Sequence, residues 1–127
     1  MKYNIFYIDD EPENLRAFKA VFRREYNIFT TDSPERGIEY ILNNKVDMII
    51  ADQRMPTMSG VEFLQKIHDL LPNKPPCRMI YSGYSQTENI EEGKHKNWLS
   101  LFVPKPCDPV DLKLKIDAAI SECSKSL

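Results

Sequence analysis

Four short stretches carry side chains suited to phosphoryl or metal chemistry: Asp9-Asp10-Glu11, Asp52, Ser82-Gly83 and Lys105-Pro106. An aspartate carboxylate is a competent nucleophile toward phosphorus, giving an aspartyl phosphate. Mg2+, a small hard dication, takes one or two carboxylates, keeps several waters and completes its octahedron with phosphate oxygens. A serine hydroxyl and a lysine ammonium can meet the remaining phosphoryl oxygens. On that division of labour Asp52 is the candidate acceptor, Asp9 and Asp10 are the candidate metal acids, and Ser82 and Lys105 are the candidate donors.

Each residue also has a plainer reading. Asp9 or Asp10 alone would read as a helix N-cap, worth ~0.3–1 kcal/mol. Ser82 alone would read as a turn residue and Lys105 as a solvated charge. Two carboxylates ~4 Å apart, however, repel by ~4 kcal/mol at an effective dielectric near 20. Capping cannot offset that, so a third acid beside the first two calls for a cation. Lys105-Pro106 leaves two peptide geometries open, a cis bond at a cost of only ~0.5–1 kcal/mol and a trans turn.

The chemistry requires these stretches to meet, and the pattern of elements says how. Apolar, β-rich runs recur at Asn4–Ile8, Asn27–Thr31, Val46–Ala51, Cys77–Ser82 and Leu99–Val103, with helical spacing between most of them. Met48-Ile49-Ile50-Ala51 is apolar throughout, as a strand covered on both faces must be, and alternation with helices makes the sheet parallel. Pro12 opens one helix with Leu15, Phe18 and Phe22 on a stripe, and Ser33-Pro34-Glu35 opens a second with Ile38, Ile41 and Leu42. Ser59 and Glu62 have the capping-box spacing, and Pro72 stops the third helix. Gln86–Lys96 predicts a weak, exposed fourth helix, because it is a polar block anchored only by Ile90 and Trp98. Asp108-Pro109 starts the last helix, and residues 121–127 are expected to fray. Open parallel sheets bind ligands beyond the carboxyl ends of their strands, and all four reactive stretches follow strand ends.

The 127 residues fit one domain, expected to span 1–127, and no apolar run approaches the ~18 residues of a bilayer span. The N-terminus reads as a strand rather than a signal peptide, so a cytoplasmic protein with no membrane partner is expected. Cys77, Cys107 and Cys123 are widely spaced, with no zinc pattern, and read as reduced thiols. A net charge of −2 with scattered Lys and Arg forms no basic stripe, which argues against direct nucleic-acid binding.

Asp9-Asp10-Glu11, the run Asp52-Gln53-Arg54-Met55-Pro56-Thr57-Met58-Ser59-Gly60, Ser82-Gly83 and Lys105-Pro106 together resemble the receiver domains of two-component response regulators. The resemblance implies a flavodoxin-like, doubly wound α/β fold in three layers: a five-stranded parallel sheet of order 2-1-3-4-5 with five helices. It implies a phosphorylation-dependent switch in a phosphorelay, with Asp52 accepting the phosphoryl group from a sensor histidine kinase or a phosphotransfer protein. Mg2+ would be held by Asp9, Asp10, Asp52 and the backbone carbonyl of Arg54, and Ser82 and Lys105 would contact the phosphoryl oxygens. Ser82 and Phe102 would act as the switch. The surface of the fourth helix, fifth strand and fifth helix would then control an output domain or partner. No enzymatic activity is implied beyond self-phosphorylation and self-dephosphorylation at Asp52.

Some positions depart from the commonest pattern of that family. Phe102 replaces a frequent tyrosine, Cys107 follows Lys105-Pro106, and Pro104 precedes it. Arg54 and Tyr84, two residues beyond the acceptor and the hydroxyl, are bulky enough to crowd an attacking water and slow dephosphorylation. Two other readings compete. An aspartate-nucleophile phosphohydrolase of the haloacid-dehalogenase type would need a general acid where this chain has Arg54. A phosphorylation-independent interaction module would leave all five site side chains idle.

Overall fold

The computed structural model describes residues 2–72, 77–83 and 99–125. Five strands, β1 (Tyr3–Ile8), β2 (Tyr26–Thr31), β3 (Met48–Ala51), β4 (Cys77–Ser82) and β5 (Leu101–Pro104), form one parallel sheet of order β2-β1-β3-β4-β5. The described helices are α1 (Pro12–Phe22), α2 (Pro34–Asn43), α3 (Gly60–Leu70) and a C-terminal helix (Pro109–Lys125). The helix expected at Gln86–Lys96, together with Tyr84 and Trp98, lies outside the described residues. Among the described residues no helix is long and apolar enough to cross a membrane.

Side chains alternate across each strand, so the sheet buries two separate cores. Ile5, Tyr7, Ile50, Met79 and Val103 pack under Phe18 and Phe22 of α1 and under Leu112, Ile116 and Ile120 of the C-terminal helix. Phe6, Ile8, Ile49, Ala51 and Ile80 pack on the opposite face, under Ile41 of α2 and Val61, Phe63, Leu64 and Ile67 of α3. The result is the expected three-layer arrangement.

The helix starts follow their caps. Ser59 Oγ accepts from the Glu62 amide at 3.1 Å while Glu62 Oε1 accepts from the Ser59 amide at 2.8 Å, completing the capping box of α3. Ser33 Oγ accepts from Arg36 N, and Asp108 Oδ2 accepts from Val110 N and Asp111 N.

Strands β1 and β2 each begin one residue earlier than expected, at Tyr3 and Tyr26, and β5 ends one residue later, at Pro104; other differences have a local reason. Strand β3 begins at Met48 rather than Val46: the Asp47 amide still donates to the Asn4 carbonyl at 2.8 Å, but the Asn4 amide donates to the Asp47 carboxylate at 2.7 Å rather than to a backbone carbonyl. Strand β5 begins at Leu101 rather than Leu99, because Ser100 Oγ, rather than a carbonyl, accepts the Arg78 amide at 3.0 Å. Within the stretch 121–127, where fraying is expected, the C-terminal helix runs to Lys125, and residues 126–127 lie outside the described residues. Ile120 is buried there, and Cys123 packs on the core with its Sγ 3.7 Å from Ser100 Oγ.

Candidate functional site

Register brings the reactive stretches together. Ile8 pairs with Ala51 across β1 and β3, so the next residues, Asp9 and Asp52, emerge side by side, and the Asp52 amide donates to the Ile8 carbonyl at 3.0 Å. Ala51 pairs with Ile80, and Ser82 with Pro104, which places Ser82 and Lys105 at the same sheet edge. The Lys105 amide donates to the Ser82 carbonyl at 2.9 Å, and the Lys105-Pro106 peptide bond is cis.

Carboxylate oxygens of Asp9, Asp10 and Asp52 lie within 4.8 Å of one another. Asp9 and Asp52 are buried, at 0% and 8% exposure, whereas Asp10 is not. N-capping does not explain the acids: the N-cap residue of α1 is Glu11, which has no side-chain cap, and Asp9 Oδ1 instead accepts the amide of Glu11 itself at 3.0 Å. Lys105 Nζ stands 2.8 Å from Asp9 Oδ2 and 3.5 Å from Asp52 Oδ1. A cleft of about 450 Å3 opens beside them, lined by Asp10, Glu11, Asn14, Asp52, Arg54, Gly83 and Lys105.

The two buried acids are tuned in opposite directions. Burial works against ionisation of Asp9, but hydrogen bonds from Lys105, Tyr7 and the Glu11 amide outweigh it and hold its pKa below the usual range. Burial pushes the Asp52 pKa up; Lys105 offsets part of this and the neighbouring Asp9 charge adds to it. Ser82 is fully buried, and its Oγ has no hydrogen-bond partner in the structure. It faces Asp52 and works to lower that carboxylate's pKa. A buried hydroxyl left unpaired costs about 1–3 kcal/mol, and an incoming acceptor would recover it.

Asp52, Asp9, Asp10, Ser82 and Lys105 therefore converge, as their positions at strand ends predict. Arg54 is exposed and lines the same cleft. Phe102 sits apart, half-buried on β5, paired in register with Ile80 and packed on the α2–α3 side of the sheet.

Three contributors went unread in the sequence. The hydroxyl of Tyr7, within β1, donates to Asp9 Oδ2 at 2.7 Å, and Asn14 Nδ2 in the first turn of α1 donates to the same atom at 3.2 Å. Gln53 is buried and shapes the loop after Asp52: its Oε1 accepts the Val61 amide at 3.0 Å and its carbonyl accepts the Gly60 amide at 3.1 Å. The one available signal was phase: Tyr7 lies two residues before Asp9 and so projects on the same side of the strand.

The family described as response regulator receiver domain matches residues 5–117. The hydrogenase transcriptional regulatory protein HoxA of Bradyrhizobium diazoefficiens is 32% identical over 116 residues, covering 91% of this chain and 24% of that protein. The transcriptional regulatory protein GlrR of Escherichia coli is 26% identical over 120 residues, covering 94% of this chain and 26% of its own length. The chain thus spans about a quarter of these curated relatives. Among solved structures, a CheY-like receiver domain protein from Methanospirillum hungatei superimposes with a TM-score of 0.87 at 26% identity, covering 100% of both chains. The response regulator TrrA of Thermotoga maritima, solved in complex with Mg2+ and BeF, shares the fold. Its TM-score is 0.80 at 24% identity, over 94% of this chain and 99% of that one.

Proposed function

The chain belongs to the response regulator receiver family, and from that premise we propose that it is a phosphorylation-dependent switch of a two-component phosphorelay with Asp52 as its phospho-acceptor. The observation that carries this reading is the setting of Asp52, whose buried carboxylate has Lys105 Nζ at 3.5 Å and the unpartnered hydroxyl of Ser82 on the next strand. Both groups can donate to oxygens added at Asp52.

The acidic cluster fits a hard dication. Its donors are all oxygens, and of the three clustered carboxylates Asp10 and Asp52 line a cleft of about 450 Å3, room enough to leave waters in place. Asp9, Asp10, Asp52 and the Arg54 carbonyl would hold Mg2+. Bound there, the ion neutralises charge on the transferring phosphoryl group. In the transfer, an Asp52 carboxylate oxygen forms the new bond to phosphorus while the donor's bond to phosphorus breaks, its electron pair leaving with the donor. Lys105 and Ser82 hold the oxygens of the arriving group, and both must shift toward it. Ser82 and Phe102 share the α2–α3 side of the sheet by strand alternation, so the shift at Ser82 is transmitted toward Phe102.

The donor is a histidine kinase or phosphotransfer protein, and the chain acts in the cytoplasm on an output domain or partner. Its output surface comprises Gln86–Lys96, β5 around Phe102, and the C-terminal helix. Its own chemistry is limited to transfer and hydrolysis at Asp52. Intact mass after incubation with acetyl phosphate and Mg2+ tests the reading: wild type should gain one phosphoryl group and Asp52→Asn none. A wild-type chain that is neither modified by acetyl phosphate nor able to bind beryllofluoride would overturn it.

A further inference from the structure

Three donors converge on one atom. Asp9 Oδ2 accepts from the Tyr7 hydroxyl at 2.7 Å, from Lys105 Nζ at 2.8 Å and from Asn14 Nδ2 at 3.2 Å, while Oδ1 accepts from the Glu11 amide. Lys105 is therefore committed to Asp9 in this state, closer to it by 0.7 Å than to Asp52, from 3.5 Å less 2.8 Å. Using Lys105 at Asp52 means withdrawing the charged donor found at Asp9 among the described residues from a carboxylate with 0% exposure. A buried carboxylate stripped of its partners is strongly unfavourable.

We propose that Tyr7 is a positioning residue, with Asn14 as its auxiliary, that keeps Asp9 satisfied so that Lys105 can be released to an anionic group on Asp52. Tyr7 cannot follow Lys105. Its backbone is paired on both sides, with Thr30 and Ile50, and its ring packs on Phe18 at a centroid distance of 4.9 Å. Lys105, by contrast, sends its Nζ past two aromatic faces, 5.3 Å from the Tyr81 centroid and 6.0 Å from that of Tyr7. The ammonium can slide across these rings while the hydroxyl stays fixed. Because Tyr7 is a neutral donor, it supports Asp9 without opposing a cation at the acidic cluster. Removing the hydroxyl removes a competitor for Oδ2 and leaves Lys105 more tightly bound to Asp9, so the cost falls on the state in which Lys105 has left.

This inference rests on Asp52 being the acceptor, and its test separates the two claims. Tyr7→Phe keeps the ring against Phe18, and Asn14→Ala changes a half-buried residue in the first turn of α1. Calorimetry should find Mg2+ affinity within about twofold of wild type in both variants. Affinity for beryllofluoride at saturating Mg2+ should fall about tenfold in Tyr7→Phe, or ~1.4 kcal/mol, and by a smaller factor in Asn14→Ala. A purely structural role would lower thermal stability and weaken both ligands alike. Equal weakening of both ligands, or wild-type beryllofluoride affinity in both variants, would overturn the role of Tyr7. Wild type that binds no beryllofluoride would instead strike at Asp52 as acceptor.

Discussion

Gly60 lies so close to Asp52 that a Cβ added to it would come within 2.5 Å of the Asp52 carbonyl oxygen and 2.8 Å of Ile80 Cδ1. The first residue of α3 thus buttresses the backbone that carries the candidate nucleophile. Gly60→Ala should destabilise the fold by about 2–3 kcal/mol, because the obstacle is main chain rather than a movable side-chain end. It should also slow modification by acetyl phosphate, since Asp52 must shift. Urea denaturation and intact-mass time courses check the two effects.

Ser82 should separate stability from ligand response. Its hydroxyl is buried and unpartnered at rest, so Ser82→Ala should leave thermal stability unchanged or raise it by up to ~1 kcal/mol. The same change should weaken beryllofluoride binding about tenfold, through loss of one bond to a charged acceptor. Loss of stability with intact ligand affinity would reverse the assignment.

The two buried acids should have opposite pH signatures in metal-free buffer. The Asp52 pKa is raised, so its contribution favours the fold at low pH and is lost as pH rises from the ordinary carboxylate value of ~3.9 through the folded value. Asp52→Asn should therefore raise Tm at pH 7, and the gain should vanish in acid. The Asp9 pKa is lowered, so its contribution is full above ~3.9 and is lost as pH falls through the folded value. Asp9→Asn should lower Tm at pH 7, with the penalty shrinking in acid. Thermal melts of the two variants across that range read the signs directly.

Away from the site, the Tyr26 hydroxyl donates to Asp117 Oδ1 at 2.7 Å, tying the start of β2 to the C-terminal helix, and Lys113 donates to the other oxygen of the same carboxylate at 2.7 Å. Tyr26→Phe should cost about 1–2 kcal/mol of stability. Phosphoryl uptake at Asp52 should be unaffected. Denaturant titration and the acetyl phosphate assay together check both halves.

What could be read from the chain follows from where each residue stands. Asp9, Asp52, Ser82 and Lys105 each end a strand, so a parallel sheet brings them together without side-chain detail. Ser59 and Glu62 announce α3 through a purely local spacing. Tyr7 escaped notice because a tyrosine inside an apolar strand is ordinarily core filling, and its role appears only when the hydroxyl is seen to reach the edge of the core. Asn14 depends on the rotational phase of α1. Ser100 and Asp47 displaced strand boundaries because a side-chain oxygen does a carbonyl's work, which apolar periodicity does not register.

The sheet separates Lys105 and Ser82, the two groups proposed to meet a phosphoryl group at Asp52, by layer. Lys105 belongs with Tyr7, Tyr81 and Phe18 around a cavity of about 400 Å3 on the α1 side, whereas Ser82 shares the α2–α3 side with Ile80 and Phe102. One anionic group at Asp52 would therefore draw on both layers at once, through two chains of contact that have no core residue in common. On the proposed function a substitution on one side of the sheet would perturb one set of contacts first, and the Lys105 amide's 2.9 Å bond to the Ser82 carbonyl is where the two sets meet.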